Sequence, residues 1–332
     1  MNELSAGKLS VELLGRLLAS HTGPTERLVV PPRVGEDAAV IELPDRYLVV
    51  ATDPITLVTE DLGHYLVTIN ANDVATLGAR PLFFSCVLLF PEGTRASEVE
   101  RVFGEVCAAC GEQEVVLIGG HTEVTPTVAA PVAVGQMIGE VDRDRLVRKD
   151  QIRPGDRLLL TKGLAVEAVS IIARERAAEV RQAHGEPFLR RARAFLRDPG
   201  IGVVREALAA SAVGGVHAMH DVTEGGLSGG LLELAAACHL GLTVRRAAIP
   251  IYPETRALCD PLGLDPLGLI ASGSLLLAVD PAQVPAVVAA VEALGVACVD
   301  IGWLTAESGC RFEEDGAPLP VFAVDEITKL RG

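Results

Sequence analysis

The chain has 332 residues, of which 49% are apolar and only 4% aromatic, and its formal charge is -15. That length asks for two aliphatic cores and not one. The charge excludes nucleic acid and anionic membrane surfaces as partners, since neither gains by counterion release, and no apolar run reaches the roughly 18 residues of a membrane span. A nucleotide is not excluded, because it needs only local amides, a few cations and metal-binding carboxylates.

Leu13, Leu14, Leu17 and Leu18 alternate with Glu12 and Arg16, the pattern of a short amphipathic helix and not of a signal peptide. Seven widely spread cysteines read as reduced thiols in a cytoplasmic protein, with Cys107 and Cys110 on the buried side of a helix. Gly35 to Ile41 forms a strand that stops near Pro44 and Asp45, and Tyr47 to Ala51 returns as a second. A turn near Asp45 then brings Asp37 and Asp53 together at one end of the hairpin. Like charges so placed ask for a cation; solvated aspartates at strand ends are the plain alternative.

Leu66 to Leu77 reads as a helix closed by Gly78 and stopped by Pro81, with Asn70 and Asp73 on one face, in position to ligate a hard cation such as Mg2+. A helix from about Ser97 to Cys110 precedes an apolar strand, Val115 to Ile118. The residues after it, Gly119, Gly120, His121, Thr122 and Glu123, read as a ligand loop. His121 and Glu123 supply either two ligands of a metal or a hydrogen-bonded pair. Pro131 to Ile138 adds another strand.

The charge run from Asp142 to Asp150 reads as a solvated face and as the boundary between an N-terminal domain, 1–150, and a C-terminal domain, 151–332. Lysine occurs only at Lys8, Lys149, Lys162 and Lys329. Lys162 follows the buried strand Leu158 to Thr161, within reach of a phosphate. Further on come a charged helix from Arg174 to Arg197 broken near Gly185, a turn-rich segment from Pro253 to Pro266, a strand over Ser272 to Val279, a helix from Pro285 to Leu294 and a last strand over Val299 to Trp303.

The chain is organised around His220 to Gly230. Leu227, Leu231, Leu234 and Cys238 recur with helical spacing, so Gly225 and Gly226 fall at a helix start. Bare amides there suit an anion such as phosphate. Alternatively, Asp221 caps the helix with Glu224 three residues on, and the glycines serve close packing. Both readings stand at this point.

Gly35-Glu36-Asp37-Ala38-Ala39, Thr52-Asp53, Asn72-Asp73, Gly78-Ala79-Arg80-Pro81, Gly119 to Glu123, Asp221 to Leu227 and Ala271 to Leu276 occur in that order. Together they resemble the superfamily of aminoimidazole ribonucleotide synthase (PurM), thiamine-monophosphate kinase, selenophosphate synthetase and the hydrogenase maturation protein HypE. The motif pattern is nearest to the HypE branch and its AIR synthase-related relatives. The resemblance implies an α+β, two-domain PurM-like fold, with an N-terminal sheet that forms a barrel across a homodimer and a C-terminal α/β-type domain.

It also implies ATP and Mg2+ near the domain boundary. Asp37, Asp53, Asp73 and Glu123 would serve the metal, Asp53 and Asp73 the catalysis, and Asn72, Gly119, Gly120, Thr122, Lys162, Asp221, Gly225 and Gly226 the nucleotide or its substrate side. The implied activity is phosphoryl transfer from ATP to an amide- or carbamoyl-like acceptor. Nucleotide-responsive binding without turnover and a thiamine-monophosphate kinase-like reaction are the alternatives. HypE ends in a cysteine-bearing tail, whereas this sequence ends Thr328-Lys329-Leu330-Arg331-Gly332. With Cys310 in an expected turn, the acceptor group is expected on a protein partner or a small molecule.

Overall fold

Fourteen consecutive buried residues, Leu62–Ala75, form the helix on which the N-terminal half is assembled. The computed structural model describes residues 9, 11–21, 26–56 and 58–331. Its first sheet is made of β1 (Leu28–Val30), β2 (Ala39–Glu42), β3 (Arg46–Ile55), β4 (Arg80–Pro91), β5 (Val116–Thr125) and β6 (Val132–Asp142). The helices of this half are α1 (Val11–His21), α2 (Leu62–Ala75) and α3 (Ala96–Glu112). The order is β1-β2-β3-β6-β4-β5, antiparallel except for the β4–β5 pair.

Helix α2 packs on this sheet where β6 has no side chain. A Cβ at Gly135 would lie 2.5 Å from the Asn70 amide, and one at Gly139 2.4 Å from Val74. The glycines thus set the depth at which α2 sits, and Asn70 with it. Its other sides meet α3 and the second half of the chain, so all of its faces are covered.

The second half contains β7 (Arg157–Thr161), β8 (Val216–Asp221), β9 (Gly241–Val244), β10 (Leu275–Val279), β11 (Cys298–Thr305) and β12 (Cys310–Phe312). Its helices are α4 (Val166–Glu175), α5 (Ala177–His184), α6 (Glu186–Ala194), α7 (Val204–Val213), α8 (Gly226–Cys238), α9 (Pro253–Leu262) and α10 (Val284–Glu292). The sheet order is β12-β9-β11-β7-β10-β8, antiparallel except for β9 with β12. Leu275, Leu277 and Val279 belong to one core with α7 and α10, while Leu276 and Ala278 belong to the other. Covering both faces explains why β10 is a continuous apolar run without alternation.

Several expectations change. Gly119 to Glu123 are not a loop: they continue β5, in register with β4 from Ser85 to Leu89. Gly120 is required there, since its Cβ would lie 1.9 Å from the Cys86 carbonyl. Pro253 to Leu262 is a helix, with Pro253 in its first turn, where no amide hydrogen is needed, and Pro261 at its end. Cys310 lies in β12 and not in a turn. All seven cysteines are unpaired, and among the described residues no helix is long and apolar enough to cross a membrane.

A candidate active site at the domain boundary

Asp37 lies just before β2, at the open end of the β2–β3 hairpin. His220 and Asp221 end β8 in the other half, and Lys149 sits in a single helical turn, Lys149–Gln151, between the halves. These elements bring four charged side chains together, all less than a tenth exposed. His220 Nδ1 lies 2.8 Å from Asp37 Oδ1, and Lys149 Nζ donates to Asp37 Oδ2 at 3.0 Å and to the Gly35 carbonyl. On its other side, His220 Nε2 meets Glu233 Oε2 of α8 at 3.2 Å.

Because both ring nitrogens face ionised carboxylates, which only accept, His220 must donate from both and is an imidazolium. Burial opposes that charge, but Asp37 and Glu233 outweigh it and raise the pKa of His220 to about 9. Burial likewise opposes ionisation of Asp37, yet Lys149 and His220 hold its carboxyl far below the usual range. Asp221 differs: burial first, then the charges of Asp37 and Asp53, push it up. Its Oδ2 is buried without a hydrogen-bond partner.

One atom each of Asp37, His220 and Asp221 lie within 4.8 Å of one another, the group best arranged among the described residues to hold a metal ion. Two carboxylates and the nearby Asp53 suit a hard cation, for which the unpartnered Asp221 oxygen is an available ligand. His220 as imidazolium is a cationic wall of such a site and not a ligand.

The other expected residues are distributed as follows. Asp53 is half-buried in β3, and its backbone is clamped by Asn70, which accepts from its amide at 2.9 Å and donates to its carbonyl at 3.2 Å. Asn70 therefore positions Asp53 instead of ligating an ion. Asp73 is buried one helical step further along α2. Asn72 spends its amide on the other half of the chain, donating to the Ile201 carbonyl at 2.9 Å and accepting from Val203 N at 2.8 Å. Gly119, Gly120, Thr122 and Glu123 lie along the exposed strand β5, where Glu123 Oε2 is 3.1 Å from His121 Nε2. Lys162, also buried, is tied to the Gly200 and Gly202 carbonyls and to Glu206, away from the Asp37 group.

At the start of α8 the structure decides between the two readings of the glycines. Gly225 is the N-cap and Asp221 caps nothing. The Gly225 amide is taken by Asp325 Oδ2 at 2.7 Å, so a carboxylate from the end of the chain stands where an anion would. Gly226, at φ 62°, would place a Cβ 2.5 Å from the Leu267 carbonyl, so close packing demands it.

The sequence alone assigns no site role to Lys149 or to His220, although His220 opens the stretch from His220 to Gly230. Lys149 was hidden in a charge run that reads as solvated, and contrary to that reading it is buried. The signals available were the rarity of lysine and the histidine directly preceding Asp221.

Two mixed sheets meeting at a buried cluster of carboxylates, with a lysine and an imidazolium behind it, define an α+β protein of the PurM-like class. The chain belongs to the AIR synthase related protein family, whose N-terminal domain profile matches residues 35–141 and whose C-terminal domain profile matches residues 153–314. It is similar to the carbamoyl dehydratase HypE of Rhizobium leguminosarum bv. viciae, 30% identical over 290 residues, which are 83% of this chain and 78% of the relative. A solved HypE–HypF complex has a chain of the same fold, with a TM-score of 0.74 at 19% identity, covering 94% of this chain and 99% of that one. A hydrogenase maturation protein HypE solved in complex with ATP has a TM-score of 0.71 at 24% identity, covering 97% and 98%.

Proposed function

We propose that this chain is an ATP- and Mg2+-dependent enzyme that transfers a phosphoryl group from ATP to an amide- or carbamoyl-type oxygen, on a small molecule or on a partner protein. The observation that carries this reading is the Asp37–Asp221 pair with its unpartnered, buried Asp221 oxygen. A carboxylate costs too much to leave there unless a cation or a proton compensates it. Asp37, Asp53 and Asp221 would hold Mg2+, with Asp73 behind them on α2. Bound there, Mg2+ would neutralise the charge of the phosphates.

The chain's own residues prepare the site for anionic groups. Lys149 and His220 keep Asp37 ionised and fix its orientation, and His220, its pKa raised to about 9, adds positive charge at neutral pH. Asn70 fixes the Asp53 backbone, which sets the carboxylate spacing across the hairpin. The ATP complex of a HypE structure and the carbamoyl dehydratase name of the Rhizobium relative support the choice of nucleotide and acceptor class. We further place the protein in the cytoplasm, as its unpaired cysteines suggest, and read it as a homodimer. The exposed strand β5, with Val116, Ile118 and Val124 more than half exposed, supports a pairing of two copies at that edge.

Supplying ATP and Mg2+ with a peptide bearing an S-carbamoyl cysteine, and in parallel with thiamine monophosphate, tests the assignment. ADP formed with the carbamoyl peptide is the expected result. ADP formed only with thiamine monophosphate would move the chain to the kinase branch, and ATP bound without ADP formed would make it a binding protein.

A further inference from the structure

Two short segments carry the boundary site on the side of α8: Asp221 to Gly226, and the turn from Ile270 to Ser274 that leads into β10. Their backbones are tied together. Val222 N donates to the Ser274 carbonyl at 3.0 Å, and Ala271 N donates to the Thr223 carbonyl at 3.4 Å. Asp325 spans the same two segments, accepting from the Gly225 amide at 2.7 Å and from the Ile270 amide at 3.2 Å.

A second carboxyl meets the turn from within the fold. Glu167, in the first turn of α4, is 5% exposed, and Ser272, also buried, turns its hydroxyl and its backbone amide toward it. Glu167 Oε2 is buried without a hydrogen-bond partner. Asp325 and Glu224 face Glu167 from the α8 side, and Tyr65 faces it from α2, with Arg174 next to that tyrosine. Burial raises the pKa of Glu167 to about 7, with Ser272 opposing the shift and Asp325 and Glu224 adding to it.

A buried carboxyl with one oxygen unmatched costs stability, and an apolar side chain of similar size would fill its place at less cost. What Glu167 supplies and an apolar residue cannot is an acceptor for Ser272 in the middle of the turn. The ends of the turn are held elsewhere, by Asp325 at Ile270 and by Ser274 Oγ, which donates to the Gly163 carbonyl at 2.8 Å.

We propose that Glu167 is a positioning residue of the boundary site, acting through Ser272. It holds the 270–274 turn against the 221–226 segment and so fixes the Asp221 carboxylate, without itself touching nucleotide or metal. The consequence for binding rests on the reading of Asp221 as a Mg2+ ligand; the brace itself does not.

The test compares Glu167→Leu, Glu167→Gln and Ser272→Ala with the wild type by amide hydrogen exchange of the metal-free protein, by melting temperature and by titration with ATP and Mg2+. In Glu167→Leu the Val222 and Ala271 amides exchange about tenfold faster or more, as loss of a hydrogen bond to a charged group implies. The strands β7 and β10 keep their protection, and the melting temperature does not fall. Ser272→Ala gives a smaller increase at the same two amides, and Glu167→Gln, which keeps the acceptor, exchanges like the wild type. ATP affinity in the presence of Mg2+ falls about tenfold in Glu167→Leu and is restored in Glu167→Gln. Unchanged exchange at Val222 and Ala271 in Glu167→Leu overturns the proposal. So does a loss of protection spread evenly over the fold with a lower melting temperature, the behaviour of a residue that only fills the core. Faster exchange at those two amides, in a protein whose wild type binds no ATP with Mg2+, upholds the brace and removes instead the reading of Asp221 as a Mg2+ ligand.

Discussion

His220, donating to Asp37 from one nitrogen and to Glu233 from the other, fixes the pH behaviour of the boundary. Its folded pKa of about 9 lies above its ordinary value of 6.5. The stability it contributes is therefore fully present below pH 6.5 and is lost as pH rises through 9. Asp221 acts in the same direction at lower pH: its pKa is raised from 3.8 to about 7, so the fold prefers its protonated form and loses stability as pH rises between those values. The metal-free protein should lose melting temperature steadily from pH 5 to 9. His220→Gln should abolish the part above pH 7, and an unchanged slope there would contradict the imidazolium assignment. Asp37 has the opposite sign. Its lowered pKa contributes stability above its ordinary 3.8 that is lost only as acid protonates it. Lys149→Met leaves Asp37 buried with one partner fewer and should cost about 3 kcal/mol in a urea titration. These pairings were only half legible. Asp37, Asp53 and Asp221 announce themselves as acids at strand ends, but Lys149 and His220 become site residues only when elements more than a hundred positions apart meet.

Helix α8 shows how far local signals reach at the scale of an element. The spacing of Leu227, Leu231 and Leu234 identified the helix and its buried face, and all three are indeed buried. The capping-box spacing of Asp221 and Glu224 misled, because the group that satisfies the Gly225 amide is Asp325, one hundred residues later. Strand β5 failed for a related reason: two glycines look like a loop until β4 supplies the neighbouring backbone that demands them. Gly226→Ala places a methyl against the Leu267 carbonyl at a positive φ and should destabilise by about 1–3 kcal/mol in the same urea assay. A loss below a few tenths would mean that the turn relaxes freely. Asp325→Asn keeps the shape and removes the charge from the helix start. Stability should fall modestly, while ATP affinity should hold or rise if the anion position then becomes available.

The molecule joins two sheets through a boundary that holds a buried charged cluster, Asp37, Lys149, His220 and Asp221, and its activity is expected to depend on that boundary as a unit. The two-domain PurM-like fold was legible as a whole from the order of short motifs, although no single motif carries it. The wholly buried helix α2 carries little amphipathic signal, since all of its faces are covered. At this scale the open edge of the first sheet matters too. Ile118→Lys with Val124→Lys should convert a dimer to a monomer by light scattering, with the fold kept; a wild-type monomer at micromolar concentration would remove the dimer from the account.

The most direct test is calorimetric titration of ATP into the wild-type and Asp221→Asn proteins, with and without Mg2+. Binding should require Mg2+ in the wild type and fall at least tenfold in Asp221→Asn, since that substitution preserves shape and replaces a buried carboxylate oxygen that has no hydrogen-bond partner. Binding that is indifferent to Mg2+ and unchanged by the substitution, or no binding at all, would contradict it.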